Sequence, residues 1–423
     1  MVSCELSMIK QDNFFELCEC KISKELGMIL QALDGIKVLD LSRTLAGPFS
    51  TMLLGDMGAE IIKVEQPHTG DETRRFTPPT LNGESCYYLS SNRNKRSITI
   101  DLKSERGQEI IYKLVKEADV VVENFRTGTM EKLGFSYETL KEINPRIIYC
   151  SISGFGRTGP DRMRPGYDLL LQGFSGLMSV TGEPGQPPVK VGTSTVDLNT
   201  GMFAAFSIVT ALMAREKFGK GQFIDVSLLD SQVALLNYLA TNYFVTGESS
   251  ARYGSGHPTI VPYQAFQAKD MDIILAVPND RLWVKCCNGF GWDDLREDDR
   301  FKINDNRVLH RELLVKFINE RLSKMESKEI FDKMDRAGVP CGPIHTVEQI
   351  MNHPQVIARE MVLEIEHPVA KNLKVPGFPV KFSETPAQLK KHPPLLGEHT
   401  DEILREIGYS EKEIETMKLE EII

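Results

Sequence analysis

Short apolar runs alternate with helical spacing through the first part of the chain. The runs at 36–41, 59–65, 97–102, 119–125 and 146–153 have the length and β-branched content of buried strands. Between them, 49–58 and 104–117 repeat apolar residues at helical intervals, with Gly58 closing the first helix and Ser104 placed to cap the second. Strand and helix alternating at this spacing predict an α/β protein with a mostly parallel, doubly wound sheet. Residues 66–96 break the rhythm. They carry Pro67, Gly70, Pro78, Pro79 and Gly83 and read as one long loop, of a length usually kept for function. Further on, 197–215 and 228–243 read as two long helices with a strand at 222–228 between them, and Gly219 and Gly221 stop the first. A Gly-rich loop covers 247–262. A smaller α/β region begins at 272–277 and runs to about residue 335, before a strand pattern returns at 339–344. The C-terminal stretch, with Val375-Pro376-Gly377-Phe378-Pro379, reads as an irregular arm ending in a helix.

Composition narrows this picture. At 423 residues, two domains are expected. The formal charge of -9 and a pI near 5.6 argue against a nucleic-acid surface. No apolar run approaches the length that spans a bilayer, so no membrane partner is expected. The eight cysteines form no C-x-x-C pair, and no histidines have H-x-x-x-H spacing, so no metal site is indicated. Residues 1–27 carry Glu5, Asp12, Glu16, Glu19 and Glu25 and no arginine. They have neither the Arg-rich character of an import presequence nor the apolar core of a secretory signal. A cytoplasmic location is the expectation, with the mitochondrial matrix as the alternative.

Candidate chemistry centres on Arg164-Pro165-Gly166-Tyr167-Asp168, ahead of the apolar run Leu169 to Leu171. Pro165 presets φ, and Gly166 supplies backbone freedom for a tight turn. Asp168 sits where a helix N-cap belongs. Taken alone the stretch reads as a plain cap; the sharper alternative is a carboxylate nucleophile at a strand-to-helix junction, and the rest of the chain decides between them. The segment 154–159 matches G-x-G-x-x-G, but Pro165 and Gly166 follow too soon for the long helix a dinucleotide site needs, so it reads as a turn. No G-x-S-x-G elbow is present. Arg93, Lys95, Arg96 and Lys103 form a basic cluster, read either as a solvated face or as a patch for a phosphorylated ligand.

Nine ordered segments then carry a family resemblance: LDGIKVLDLSRTLAGPF, GAEIIKVEQPHTGDETR, NRNKRSITIDLK, DVVVENFRTGTMEKLG, NPRIIYCSISGFGRTGP, RPGYD, GKGQFIDVSLLDS, GVPCGPI and PPLLGEHTDEIL. In this order, over roughly 33–410, the chain resembles the class III coenzyme A transferases, the family of formyl-CoA transferase and carnitine-CoA transferase. SRTLAGPF, GSGHPTIVPYQAF and LLGEHT look nearest to the branch acting on succinyl-CoA and dicarboxylates such as glutarate or hydroxymethylglutarate.

The resemblance implies CoA transfer from an acyl-CoA donor to a small carboxylic acid, through an anhydride and a CoA thioester on Asp168. CoA is then a substrate moiety, and no permanently bound cofactor is expected. The resemblance places CoA contacts at Leu45, Ala46, Gln66, Ile100, Lys103, Asn124, Phe125, Arg126, Lys132 and Leu133. Arg43 and Arg74 are the candidates for pairing with a substrate carboxylate. Gly254, Gly256 and His257, in Gly-Ser-Gly-His-Pro, resemble the family's glycine-rich lid, which would exclude water. Formyl-CoA transferase differs at Leu45, Gln66 and Ser153, so formate specificity is not implied. The fold implied is an interlocked homodimer. In each chain 33–225 with 340–423 would form a Rossmann-like large domain, 226–339 a small domain with linkers, and 1–32 an N-terminal extension. Two rivals stand beside this reading: an α-methylacyl-CoA racemase on the same fold, which carries Gly-His-Asp where this chain has Gly166-Tyr167-Asp168, and a non-catalytic CoA-binding protein.

Overall fold

A computed structural model describes residues 30–423, so the extension expected at 1–32 lies outside the described residues except for 30–32. Contacts divide the chain into two units. The larger holds the chain up to Leu171, Ser194–Gln232 and Ala358–Ile423, and the smaller holds Gln172–Thr193 and Val233–Ile357.

The larger unit is built on a parallel sheet. Strand β1 (Lys37–Asp40) leads to helix α1 (Ala46–Asp56) and β2 (Glu60–Glu65); β3 (Lys95–Thr99) leads to α2 (Glu105–Glu117) and β4 (Val120–Glu123). Then come β5 (Ile148–Ser153), α3 (Asp168–Phe174), α4 (Thr195–Phe218) and β6 (Phe223–Ser227). The strand order is β3-β2-β1-β4-β5-β6, and every neighbouring pair is parallel. The chain moves outward one way from β1 and then restarts at β4 on β1's other side. Such a reversal opens a crevice beyond the carboxyl ends of the two strands.

Both faces of the sheet are covered, which is why its strands read as continuous apolar runs rather than alternating ones. Leu39, Val121 and Ile98 point into one core, against Ile110, Ile111 and Leu114 of α2 and Ile403 and Leu404 near the C-terminus. Val38, Val120, Val122 and Ile148 point into the other, against Leu54 of α1 and Ala204, Ile208 and Ala211 of α4. Each fully buried side chain of this size contributes about 1.5–3 kcal/mol. Ser104 caps α2 as expected, its hydroxyl accepting the Gly107 N–H at 3.0 Å. Gly219 ends α4 at φ 72°, its N–H bonded to the Arg215 carbonyl.

The smaller unit carries the antiparallel sheet β9-β8-β7, with β7 at Tyr263–Gln267, β8 at Asp272–Ala276 and β9 at Cys341–Pro343. Trp283, Phe301, Leu314, Ile318 and Met334 fill its core.

Unit boundaries differ from the sequence expectation for identifiable reasons. Residues 340–357 join the smaller unit, where Gly342 pairs with Ile274 of β8. Residues 226–232 stay with the larger, where Ser227 pairs with Ser153 of β5. The helix expected over 228–243 is two helices, Leu228–Ala234 and Tyr238–Thr246, parted at Asn237 with φ 45°. The loop at 66–96 holds short elements: a 3-10 turn at Glu72–Arg75, a two-residue hairpin and the helix Cys86–Leu89. Val375 and Pro376 lie in a regular hairpin, Val362–His367 with Lys371–Pro376, rather than in an irregular arm.

Candidate active site

The loops after β1, β2, β3 and β4 meet at the crevice. Asn124, just past β4, ties it shut at one point: its amide donates to the Arg43 carbonyl at 2.7 Å and accepts the Arg43 N–H at 2.8 Å. The side chain expected to contact CoA is thus spent on joining two strand ends. Next to it Thr44 holds φ 69°, a left-handed conformation costly for a β-branched residue. Asp71 supports it, with both carboxylate oxygens 3.2 Å from the Thr44 N–H.

Beneath these loops lies a buried layer of charges. Lys63 donates to Asp71 at 2.9 Å and to the Ser42 carbonyl at 3.0 Å. Lys95 donates to Asp40 at 3.0 Å, to Asn92 and to the Pro48 carbonyl, so all three ammonium protons are used. Burial opposes ionisation of Asp71, but Lys63 and the Thr73 N–H more than offset it and hold its carboxyl down at about 2. Burial pulls Lys95 down to about 8, although Asp40 favours its charged form.

Two sequence expectations change here. Arg74 does not present itself to a substrate carboxylate. Its guanidinium forms a two-point pair with Glu65, at 2.6 and 2.8 Å, and also reaches Tyr88 and the Pro394 carbonyl. Three of the four cations in the basic cluster are not a phosphate patch either, and only Lys103 lines the larger of the cavities among these loops. Arg93 pairs with Asp56 at 2.7 Å, Lys95 with Asp40, and Arg96 with Glu60, Glu402 and Glu406.

Two cavities open among the loops. The larger, of about 680 Å³, is lined by Gln66, Ile100, Lys103, Phe125 and Leu133 of the expected CoA residues, with Leu102 and Arg75. Ile100, Phe125 and Leu133 give it apolar lining of the kind that suits a flat heterocycle, and its cations Lys103 and Arg75 are exposed. The smaller, of about 110 Å³, is lined by Leu45, Ala46, Asn124 and Arg126, with Ser153, Gly154, Tyr167 and Asp197. Arg43 lines both, paired with Glu72 at 2.9 Å and lying 5.0 Å over the Phe125 ring. Lys132 lines neither; it is exposed at the end of the short helix Thr129–Lys132.

Asp168 is the first residue of α3 and half-buried. Its carboxylate reaches across to a different helix. Oδ1 accepts the Val196 N–H at 2.9 Å and the Asp197 N–H at 3.4 Å, both in the first turn of α4. The 24-residue α4 places the positive end of its dipole on that oxygen. The cap expected locally is therefore made at long range. The turn before Asp168 is set by space rather than by special backbone angles. Gly154, at the end of β5, and Gly166 pack backbone on backbone. A Cβ on Gly166 would lie 2.5 Å from the Gly154 Cα, closer than real side chains come. The 154–159 segment is a turn, and no helix begins before Asp168.

Asp197 was not singled out by the sequence. It is half-buried in the first turn of α4. Burial first, and then the neighbouring Asp168 charge, push its carboxyl up to about 7. Tyr87 belongs to the same cluster, its hydroxyl bonded to Ser194 and its acidity lowered by burial and by Asp197. A Thr-Ser-Thr-Val-Asp run opening an apolar helix marks the start of α4, but nothing in it announces a neighbour as distant as Asp168.

The glycine-rich loop lies in the smaller unit and is braced there. Gly254 takes φ 60° and donates to the Gly182 carbonyl at 3.0 Å; the Gly256 N–H donates to the Tyr253 carbonyl at 2.8 Å. The His257 ring stacks on Tyr238 at 5.5 Å and meets Tyr263 edge-on. Arg311 donates to the carbonyls of both His257 and Pro258. Burial, then Arg311, lowers the His257 pKa, so its ring is neutral at pH 7.

A parallel-sheet α/β protein with a cavity lined by both cations and apolar side chains, and with a helix-anchored carboxylate at the strand ends, has the parts of an acyl-CoA enzyme. The profile of CoA-transferase family III matches residues 33–400, and the chain belongs to that family. It is an enzyme, a class III CoA-transferase. It is 43% identical to the succinyl-CoA:glutarate CoA-transferase of Homo sapiens, over 89% of this chain and 86% of the relative. It is 40% identical to the succinate–glutarate CoA-transferase of Agrobacterium fabrum, over 90% of this chain and 96% of that one. Among solved structures, a CAIB/BAIF family protein from Brucella suis superposes with a TM-score of 0.80 at 41% identity, covering 89% of this chain and 99% of the other.

Proposed function

We propose that the enzyme moves CoA from succinyl-CoA to glutarate or a closely similar dicarboxylate, with Asp168 as the covalent carrier. The observation that carries this reading is the Asp168 carboxylate itself, anchored through Oδ1 on the amides of Val196 and Asp197 next to residues that line the smaller cavity. A carboxylate so held stays aimed, as covalent carboxylate catalysis requires. The choice of acids is supported by the names of the relatives from Homo sapiens and Agrobacterium fabrum.

On this reading an Asp168 oxygen attacks the thioester carbonyl and the C–S bond breaks, leaving a mixed anhydride and CoA. The CoA sulfur attacks the Asp168 carbonyl, the anhydride C–O bond breaks, and succinate departs. Glutarate then attacks the Asp168 thioester, and the displaced CoA sulfur attacks the glutaryl carbonyl to release glutaryl-CoA and restore the Asp168 carboxylate. Four acyl exchanges of similar energy replace one difficult transfer. In the larger cavity Lys103 and Arg75 are positioned for the CoA phosphates, and Ile100, Phe125 and Leu133 for its base. Arg126 and Arg43, lining the smaller cavity, are the cations available to the far carboxylate of a dicarboxylic acid.

The strand order supports a Rossmann-like reading of the larger unit. We also read the working form as a homodimer. Along α4, Met202, Phe206 and Met213 are exposed at helical spacing, with Phe206 at 71%, an apolar stripe of the kind that marks an interface. Incubation with succinyl-CoA followed by hydroxylamine or borohydride tests the mechanism. Mass spectrometry is expected to find Asp168 modified, and Asp168→Ala to lose on the order of 10⁴-fold or more in turnover. An unmodified Asp168 peptide under turnover would overturn it. A panel of carboxylate acceptors tests the choice of acid.

A further inference from the structure

The second carboxyl beside Asp168 has no place in the sequence of exchanges above. We propose that Asp197 holds the proton that the CoA sulfur takes up on leaving and gives back on attacking. The inference rests on Asp168 being the nucleophile.

Three observations converge on Asp197. Its backbone N–H bonds Asp168 Oδ1, so the two carboxyls are held together by the first turn of α4. It lines the small cavity together with Gly154 and Tyr167. Among the described residues no basic side chain forms an ion pair with it, and burial and the Asp168 charge are the influences acting on its ionisation. The charged and titratable groups around it are Asp168 on α3, Tyr87 on the helix Cys86–Leu89, and Tyr167, with Arg43, Glu72 and Arg126 lining the same cavity. A carboxyl poised near neutrality matches the operating pH, where proton transfer is most effective. The sulfur it would serve has an ordinary thiol pKa near ~8.5.

The proton balance closes over the cycle. When Asp168 attacks the donor thioester, the C–S bond breaks and the sulfur leaves with the electron pair. It takes the proton of Asp197, giving a thiol and an Asp197 carboxylate. Asp168 is by then a neutral anhydride, so the charge that had opposed ionisation of Asp197 is gone. When the thiol attacks the Asp168 carbonyl, its proton returns to Asp197 and the donor acid leaves as a carboxylate. The acceptor half repeats both moves. Asp168 recovers its charge as Asp197 recovers its proton. The reaction consumes and releases no net proton. The bland alternative is that Asp197 is only an acidic residue in a helix's first turn.

The test is quenched-flow formation of the Asp168 adduct from succinyl-CoA across about pH 6 to 9, in the full-length enzyme. In the wild type the rate is expected to fall as pH rises through about 7, approaching tenfold per unit. Asp197→Asn is expected to lose that limb and to run about 10²-fold slower below it, while Asp168 still becomes labelled. Asp197→Glu is expected to restore a titrating limb at a displaced pH. A wild-type rate that is flat across the range, or an Asp197→Asn profile with the wild-type limb, would overturn the proposal. The wild-type profile decides the matter even if the variants do not fold. Absence of any Asp168 adduct in the wild type would instead remove the nucleophile reading, and this inference with it.

Discussion

Two groups of carboxylates lie in the larger unit, and they are built on opposite principles. Beneath the β1 and β2 loops, Asp40, Asp71 and Glu65 are each matched by a cation, Lys95, Lys63 or Arg74. Burial would discharge them, and their partners prevent it. At the start of α4, Asp168 is held by the backbone amides of Val196 and Asp197, and its charge acts on the Asp197 carboxyl beside it. The first arrangement fixes Asp71 as a charge down to about pH 2. The second leaves Asp197 balanced near 7. Opposite charges make a floor whose carboxylates stay ionised through the neutral range. Like charges make a site whose protonation follows the state of its neighbour.

The contrast can be broken at the floor first. Asp71→Asn leaves the Lys63 ammonium buried without its ion-pair partner, and a loss of roughly 3–5 kcal/mol is expected in denaturant titration. The Asp71 pKa lies below its unfolded value of 3.8, so its contribution is present above that pH and fades as pH falls toward about 2. The wild type and Asp71→Asn should therefore converge in acid. Gly166→Ala attacks what holds the like charges in place. A Cβ forced against the Gly154 backbone is expected to cost about 2–3 kcal/mol and, by displacing Asp168, to lower kcat by about 10²-fold. A variant with wild-type turnover would show that this packing does not position the nucleophile. The smallest effect has the opposite sign. The Asp197 pKa is raised from 3.8 to about 7, so the wild type is most stable below the unfolded value and loses that stability as pH rises through 7. Asp197→Asn is expected to be more stable than the wild type by about 1–2 kcal/mol at pH 8 and equal to it near pH 3.5, while losing activity. Equal stability at both pH values would mean that the two carboxyls do not repel.

Sequence patterning revealed what local rules govern. The runs that became β1, β2, β4 and β5 are apolar because both faces of the sheet are covered, and Ser104 and Gly219 terminate helices by short-range bonds. What it misjudged depends on partners far along the chain. Lys95 and Arg93 looked like a basic patch because Asp40 and Asp56 meet them only once the loops and strands assemble. Arg74 looked free for substrate for the same reason, since Glu65 reaches it across a turn. Asp168 was legible through its motif and its family. Asp197, 29 residues beyond Asp168, was invisible because only the folded α4 brings its amide onto that carboxylate. Gly166 was recognised as necessary for the wrong reason: the constraint is the Gly154 backbone lying against it.

The placement of the two cavities has a consequence for change over time. Every residue around the larger cavity falls between Leu41 and Leu133, whereas the smaller one adds Ile152 to Leu228. On the proposed reading, the handle shared by all CoA thioesters is read within that one stretch, and the reacting end by residues of the same stretch together with a second. On that reading, substitutions after β5 reshape the part of the smaller cavity around the reacting carbon without touching the residues that line the larger one. On such a scaffold, drift toward new acids is a local event, open to a single mutated loop or to deliberate segment exchange.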